Sequence, residues 1–539
     1  MDDVPAAGNR LDDLLTRASG EFADRSAVVF PDDVVTYAEL TSRVEDMARG
    51  LLALGVSRGD TVATFMPNCI DHITAIFAIS RIGALCVPLN TRFRKRELAY
   101  VVNDSAAKVI LTTLTGSEFS DLPSRLSEAV PVDPDERKQF RSLAHVVMLG
   151  PGSRPGILDA DRFHELAATV DPARVQDVAA LVSPEDRAVM IYTSGTTASP
   201  KGVPLRHRQM TSIAQQIAER LGARAGDRLW DALPMFHSSS LLPLLATFSV
   251  AGTFICQASS EPKLSLEMIN RERATLLWPA FTQIWQAIVA DPGFVAERLS
   301  DVRAILCIGP GDTVRHLEAQ LPGAPLLSCY GITEGSGVPT MVSWDDSPRV
   351  RQDTGGLPFD GIEAKVVDTL TGETKPPNCV GELKIRGANV FDGYWNDSER
   401  TAQVIDAEGW FSTGDLAVCD EAGRISYQGR LKDMLKVGGE NVAALEIEAL
   451  LSTHPAVQTA AVVGAPDERL SEVPAAFVEL KPGASVTEEE LRDFCVGQLA
   501  SFKVPRYVRL VTEWPMSATK IRKVDLAKQI AGEISQGRA

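Results

Sequence analysis

The first half of this chain repeats a pattern of two beats, an amphipathic run followed by a short and almost wholly apolar one. "TYAELTSRVEDMARGLLALG" opens with a capping box, Thr36 to Glu39. Leu40, Val44, Met47 and Leu51 then recur at helical spacing, and Gly55 is a natural stop. "DTVATFMPN" reads as a strand, "CIDHITAIFAISRIG" as a helix and "ALCVPLN" as a strand. Strands apolar on both faces must be covered on both faces, so this alternation dictates α/β architecture with helix-covered sheets. The middle of the chain returns to it: "RLWDALPMFH", "GTFICQ", "TLLWPAF" and "AILCIG" are strand-like, with helices between.

After about Gly355 the texture changes. "IEAKVVD", "GELKIRG", "LAVCD" and "RISYQG" are short alternating segments with Gly and Asp turns, which predicts a small, mostly antiparallel β region. "QGRLKDMLKVGGEN" is charged and glycine-bearing and suits a linker. Beyond it lies a compact unit. "NVAALEIEALLSTH" reads as a helix capped by Asn441, "AAVVG" and "AAFVEL" read as strands, and "TEEELRDFCVGQLA" carries a second capping box, Thr487 to Glu490.

Composition narrows the function classes. A chain of 539 residues, 45% hydrophobic, fills more than one domain. A net charge of -17 argues against nucleic acid as a partner, yet one local basic pocket still suffices for an anionic small molecule. The eight cysteines contain no CxxC pair, which disfavours zinc and redox motifs and fits a reducing, cytoplasmic setting. The start, "MDDVPAAGNRLDD", lacks the basic and apolar segments of a signal peptide. The most apolar stretch, "LLPLLATFSVAGTFIC", is too short to span a bilayer and predicts a buried helix and strand.

The chemistry concentrates first in "IYTSGTTASPKG", Ile191 to Gly202. Glycine lets backbone approach a ligand, consecutive N–H groups cradle phosphates, and Lys201 adds a cation. It is not a Walker loop, because lysine precedes glycine and Val203 follows. A polar surface turn between a strand and a helix explains an isolated loop of this kind equally well. Three further stretches decide between the two: "YGITEGSG" from Tyr330, "GWFSTGDLAVCDEAGRISYQGRLKDMLKVGGEN" from Gly409, and "PMSATKIRKVDL" near the C-terminus. Together, in this order and across essentially the whole chain, they resemble the adenylate-forming superfamily of acyl-CoA synthetases, peptide-synthetase adenylation domains and firefly-type luciferases.

That resemblance implies a large N-terminal domain, 1–430, of helix-covered sheets with a small β-barrel-like subdomain, hinged to a small mobile α+β domain, 431–539. It implies two half-reactions. A carboxylate attacks the α-phosphate of ATP to give acyl-AMP and pyrophosphate, and a thiol, that of CoA, then displaces AMP. Both move negative charge, so donors, cations and Mg²⁺ matter more than a covalent nucleophile. Thr193, Ser194, Gly195, Thr196 and Thr197 would hold the triphosphate, with Lys201 nearby. Glu334, with Thr196, would hold Mg²⁺. Thr333 would lie near the α-phosphate, and Tyr330 and Gly331, with Gly309, Pro310 and Gly311, near the adenine. Asp415 would accept from the ribose hydroxyls beside Arg430; the plain alternative for this pair is a structural salt bridge. Lys520 would reach the acyl carboxylate and α-phosphate. Lys432 falls at the hinge, and Gly438 and Gly439 would border the pantetheine tunnel. Lys436 suits either the thioester step or the surface. His237 matches an acyl-pocket gate, and Trp278, Phe281 and Val338 would form the pocket wall, whereas Trp285 reads as core.

Ala198 and Thr519 stand where the family usually has glycine, and Ala444 where it often has proline. Each of the first two adds a Cβ and restricts φ, at a cost of about 1 kcal/mol or more where φ must be positive. The leading expectation is an acyl-CoA ligase acting on an aromatic, medium-chain or polycyclic acid. The alternatives are an acyl-AMP ligase that loads a carrier protein, and a nucleotide-binding homologue without turnover. Oligomer formation stays open.

Overall fold

A computed structural model of the protein describes residues 9–114, 121–131, 139–193, 200–321, 323–437, 440–467, 469–517 and 520–536. The chain divides into two compact units: residues 1–309, 314–363 and 385–411 form the first, and residues 310–313, 364–384 and 412–539 the second.

Among the described residues, the first unit holds two large sheets. One has seven strands, in the order Leu326–Leu327, Ala304–Ile308, Leu276–Phe281, Arg228–Asp231, Thr253–Cys256, Ser26–Val29 and Val34–Thr36. The other has six, in the order His145–Met148, Ala107–Thr112, Thr61–Phe65, Leu85–Pro88, Arg187–Thr193 and Lys201–Arg206. Each is parallel throughout except for one antiparallel pair at an edge. Thr61–Phe65 and Leu85–Pro88 are buried at every position, as strands covered on both faces must be. The helix Ile70–Arg81 between them is buried nearly all round, because it too is enclosed.

The capping box at Thr36 and Glu39 forms as the sequence predicts. In the box that starts the helix Tyr37–Ala53, Glu39 accepts from the Thr36 N–H at 2.8 Å and Thr36 Oγ1 accepts from the Glu39 N–H at 3.2 Å. Such a cap contributes about 1 kcal/mol. The apolar stretch before Cys256 is the buried helix Ser238–Ser249 and the strand Thr253–Cys256, and among the described residues no helix is long and apolar enough to cross a membrane.

The alternating segments after Gly355 form a four-stranded sheet in the order Glu363–Val367, Val380–Arg386, Phe411–Cys419 and Ile425–Arg430. The end of the chain builds a five-stranded sheet, ordered Glu440–Ala443, Met434–Val437, Ser471–Leu480 and Val457–Asp467, with Tyr507–Leu510 parallel to Ser471–Leu480. Two sequence expectations are corrected here. Much of the stretch read as a linker is a short turn, Leu431–Asp433, and the strand Met434–Val437. Asn441 is not a helix cap but lies in the strand Glu440–Ala443, opposite Lys436; the helix begins at Ala444 with Ala443 before it. Pairing across the hairpin outweighs the capping preference of one asparagine.

Candidate active site

The edge hairpin of the six-stranded sheet carries the phosphate-loop candidate. Thr193 ends one strand, Lys201 begins its antiparallel neighbour, and the two face each other in register. The loop therefore joins strand to strand, not strand to helix. Ser194, Gly195, Thr196, Thr197 and Ala198 lie outside the described residues. Lys201 Nζ sits 4.8 Å from the centroid of the Tyr394 ring, a cation–π distance. Gly202 belongs to the strand. A Cβ there would meet Met190 Sδ at 2.9 Å and Trp395 Cβ at 3.0 Å, so close packing accounts for this glycine.

A second, shorter hairpin presents Glu334. Tyr330, 4% exposed, lies with Gly331 in the strand Cys329–Ile332; Thr333 and Glu334 form a single 3₁₀ turn; and the strand Gly337–Met341, which contains Val338, returns antiparallel. Ser336 makes the reversal in the left-handed region, φ 57°, buried and with its hydroxyl donating to the Asn389 carbonyl at 2.6 Å. A non-glycine residue held there marks a conformation fixed by its surroundings. Glu334 is 8% exposed and accepts from the Tyr394 hydroxyl at 2.8 Å. Burial, and then the Glu334 carboxylate beside it, raises the Tyr394 hydroxyl pKa, so tyrosine remains the donor. Among the described residues no cation pairs with Glu334. A buried carboxylate held by one neutral donor suits Mg²⁺, which takes a single carboxylate and leans on substrate phosphates.

The acyl-pocket candidates come from the seven-stranded sheet. His237 is half-buried at the start of the helix Ser238–Ser249, its ring 4.7 Å from that of Phe236. The turn leading to it is clamped by Asp231, which accepts from the Leu233 N–H at 2.9 Å and the Ser240 hydroxyl at 2.5 Å. Trp278 is fully buried, and its indole N–H donates to the Ser239 carbonyl at 2.9 Å, so it braces the helix that follows His237. The strand then bulges, with Ala280 at φ 58° and a register shift after Leu277. A bulge of this kind re-aims the next side chain; here that is half-buried Phe281. Trp285 is wholly buried against Phe294, as the core reading expects. Gly309 follows the strand Ala304–Ile308, and Pro310 leads into the helix that opens at Gly311.

The remaining candidates lie in the second unit. Asp415, 8% exposed, faces Arg430 across antiparallel strands, with Arg430 Nε 3.8 Å from Asp415 Oδ1. That is a loose ion pair. Lys432 lies in the turn Leu431–Asp433, Lys436 in the strand Met434–Val437, and Lys520 in the two-residue strand that pairs with Met516–Ser517. Gly438, Gly439 and Thr519 lie outside the described residues. Tyr394 and Asp231 were missed by sequence reasoning. The aromatic and glycine cluster "FDGYW" could have flagged the first, whereas nothing marks a lone aspartate as buried.

Residues 15–395 match the AMP-binding enzyme family, and residues 446–520 match the AMP-binding enzyme C-terminal domain. The chain belongs to this family of adenylate-forming enzymes. ATP-dependent activation of a carboxylic acid as acyl-AMP, followed by transfer to CoA, is the reaction of the acyl-CoA synthetases in this family. Among similar proteins, YngI of Bacillus subtilis (strain 168), which carries an acyl-CoA synthetase designation, is 35% identical over 528 residues, covering 96% of each chain. A CoA ligase of Rhodococcus jostii (strain RHA1), named for a propanoyl group on a methyl-dioxo-octahydroindene, is 34% identical over 93% of this chain and 95% of its own. Among solved structures, the anthranilate CoA ligase AuaEII in complex with anthranoyl-AMP superposes with a TM-score of 0.85 at 27% identity, covering 99% of both chains.

Proposed function

We propose that this protein is an AMP-forming acyl-CoA ligase for a carboxylic acid with a ring or a medium-length chain. The observation that carries the reading is the buried Glu334 carboxylate, held by a neutral donor and paired with no cation among the described residues. A carboxylate left in that state needs a positive partner that the bound substrate brings, and MgATP brings one. Mg²⁺, when bound, would neutralise phosphate charge; Glu334 and Thr196 would hold it.

The other roles follow from the chemistry of each group. Thr193, the loop residues Ser194 to Thr197 and Lys201 would surround the phosphates. Tyr330, Gly331 and Gly309 to Gly311 would bound the adenine, with Thr333 at the α-phosphate. Asp415, with Arg430, would select ribose by accepting from its hydroxyls. Lys520 would offset the charge building on the attacking and bridging oxygens. Lys432 would be the hinge of the boundary between 1–430 and 431–539, and Lys436, Gly438 and Gly439 would serve the thioester step. His237, Phe281 and Val338 would face the acyl group, with Trp278 bracing that wall. The substrate class is supported by this aromatic content and by the ring-bearing acids named for the Rhodococcus and anthranilate ligases.

A screen of pyrophosphate release over acids graded in size and ring content tests the substrate class; turnover confined to short, unbranched acids would refute it. Lys520→Ala should reduce acyl-AMP formation by on the order of a hundredfold or more while ATP still binds. An unchanged adenylation rate would remove Lys520 from the reaction. AMP release with free CoA, measured against release with a carrier protein, identifies the acceptor; strict carrier dependence would replace CoA in this reading.

A further inference from the structure

Residues 391–395, "FDGYW", lie between the Glu334 turn and the strand that leaves the phosphate loop. The Phe391 N–H donates to the Glu334 carbonyl at 2.8 Å, and the Trp395 N–H donates to the Gly202 carbonyl at 2.9 Å. Tyr394 stands between them, with its hydroxyl on Glu334 Oε1 at 2.8 Å and its ring under Lys201 Nζ. The segment is fixed from other sides too. Asp392 pairs with Arg206 at 2.7 Å, the Tyr394 N–H donates to Thr401 Oγ1 at 2.9 Å, and the Trp395 indole N–H donates to the Asp104 carbonyl at 2.9 Å.

The Glu334 side chain has three torsions, and among the described residues the side-chain hydrogen bond on its carboxylate comes from Tyr394. A single donor on a rigid, anchored ring selects one carboxylate orientation. We infer that Tyr394 is a positioning residue for Glu334. Through residues 391–395, the carboxylate and the strand leaving the phosphate loop are then held in one fixed relation. Lys201 on the ring face and Glu334 on the hydroxyl are the two charged ends of this clip. The inference rests on the role proposed above for Glu334.

The test uses the full-length protein and calorimetric titration with ATP, once with Mg²⁺ and once with a chelator. Tyr394→Phe keeps the ring under Lys201 and removes only the donor. A hydrogen bond to a charged group corresponds to a loss of about ten- to a hundredfold in MgATP affinity. Metal-free ATP should bind as it does to the parent, and the KM for the acid should not move. The same substitution in a Glu334→Gln background should then cost less than about twofold, because the group it positions has gone. Equal losses in both backgrounds would assign Tyr394 to ordinary packing and overturn the inference. So would parent-like MgATP binding by Tyr394→Phe while Glu334→Gln is weakened. If Glu334→Gln itself binds MgATP like the parent, the fault lies in the role given to Glu334, and the inference falls with it.

Discussion

Asp231 is a carboxyl with nowhere to place a charge. It lies fully buried in the seven-stranded sheet between strands that put Trp278 and Cys256 opposite it, and burial pushes its pKa up to about 8. Between pH 4 and pH 8 the folded protein therefore holds a proton that the unfolded chain has released. Stability falls as pH rises through this window, by up to about 1.4 kcal/mol per pH unit from this group, and the slope ends near pH 8. Asn keeps the acceptor for the Leu233 N–H and turns an amide toward Ser240. The melting temperature of Asp231→Asn, relative to the parent, should thus rise between pH 5 and pH 8; a difference independent of pH would show the carboxyl to be ionised. His72 has the opposite sign. Its Nδ1 lies 3.2 Å from the Pro67 carbonyl and its Nε2 2.9 Å from the Thr64 hydroxyl, and burial lowers its pKa to about 4. The unfolded chain takes the proton first, so stability is lost as pH falls from about 6.5 toward 4. The deficit of His72→Gln relative to the parent should shrink between pH 7 and pH 5 in thermal melts.

At the scale of the element, the strand that returns from Glu334 depends on one glycine. Gly356 has φ 78° and precedes Leu357–Pro358, which pairs antiparallel with Gly337–Met341. A Cβ at Gly356 would fall 2.0 Å from the Met341 carbonyl carbon. Gly356→Ala should therefore cost about 2–4 kcal/mol, from left-handed strain together with displacement of a paired strand. A denaturant titration measures it, and a loss below about 1 kcal/mol would mean that the strands part without penalty. Elements of this kind also show what the sequence discloses. The box at Thr487 and Glu490 forms as read, with the Thr487 N–H donating at 2.8 Å, because capping is settled within four residues. "TLLWPAF" is legible as a strand, but its bulge at Ala280 is not, since φ there is set by the strands on either side. Glu334 is legible because its motif is contiguous. Its partner Tyr394 lies 60 residues away, and no local pattern states that the two meet.

For the whole molecule, the question is whether the end of the chain is a folding unit of its own. Every residue of its two apolar clusters lies between Leu435 and Ile534. They pack on opposite faces of one antiparallel pair, and the strands alternate accordingly. Ala461, Val463, Ala475 and Phe477 face one cluster with Leu526 and Ile530, whereas Val462, Ala476 and Val478 face the other with Ile447 and Leu491. "AAVVG" and "AAFVEL" look uniformly apolar because both faces are covered. A fragment of residues 431–539 should accordingly fold alone and melt cooperatively, with a stability of about 0.05–0.15 kcal/mol per residue. Calorimetry of the full chain should then give a van't Hoff enthalpy below the calorimetric one, since two units unfold separately. The strand Ile425–Arg430, which carries Arg430, is grouped in the same compact unit as these residues. If the fragment melts without cooperativity while one begun at Ser412 melts sharply, the boundary lies upstream of Asp415.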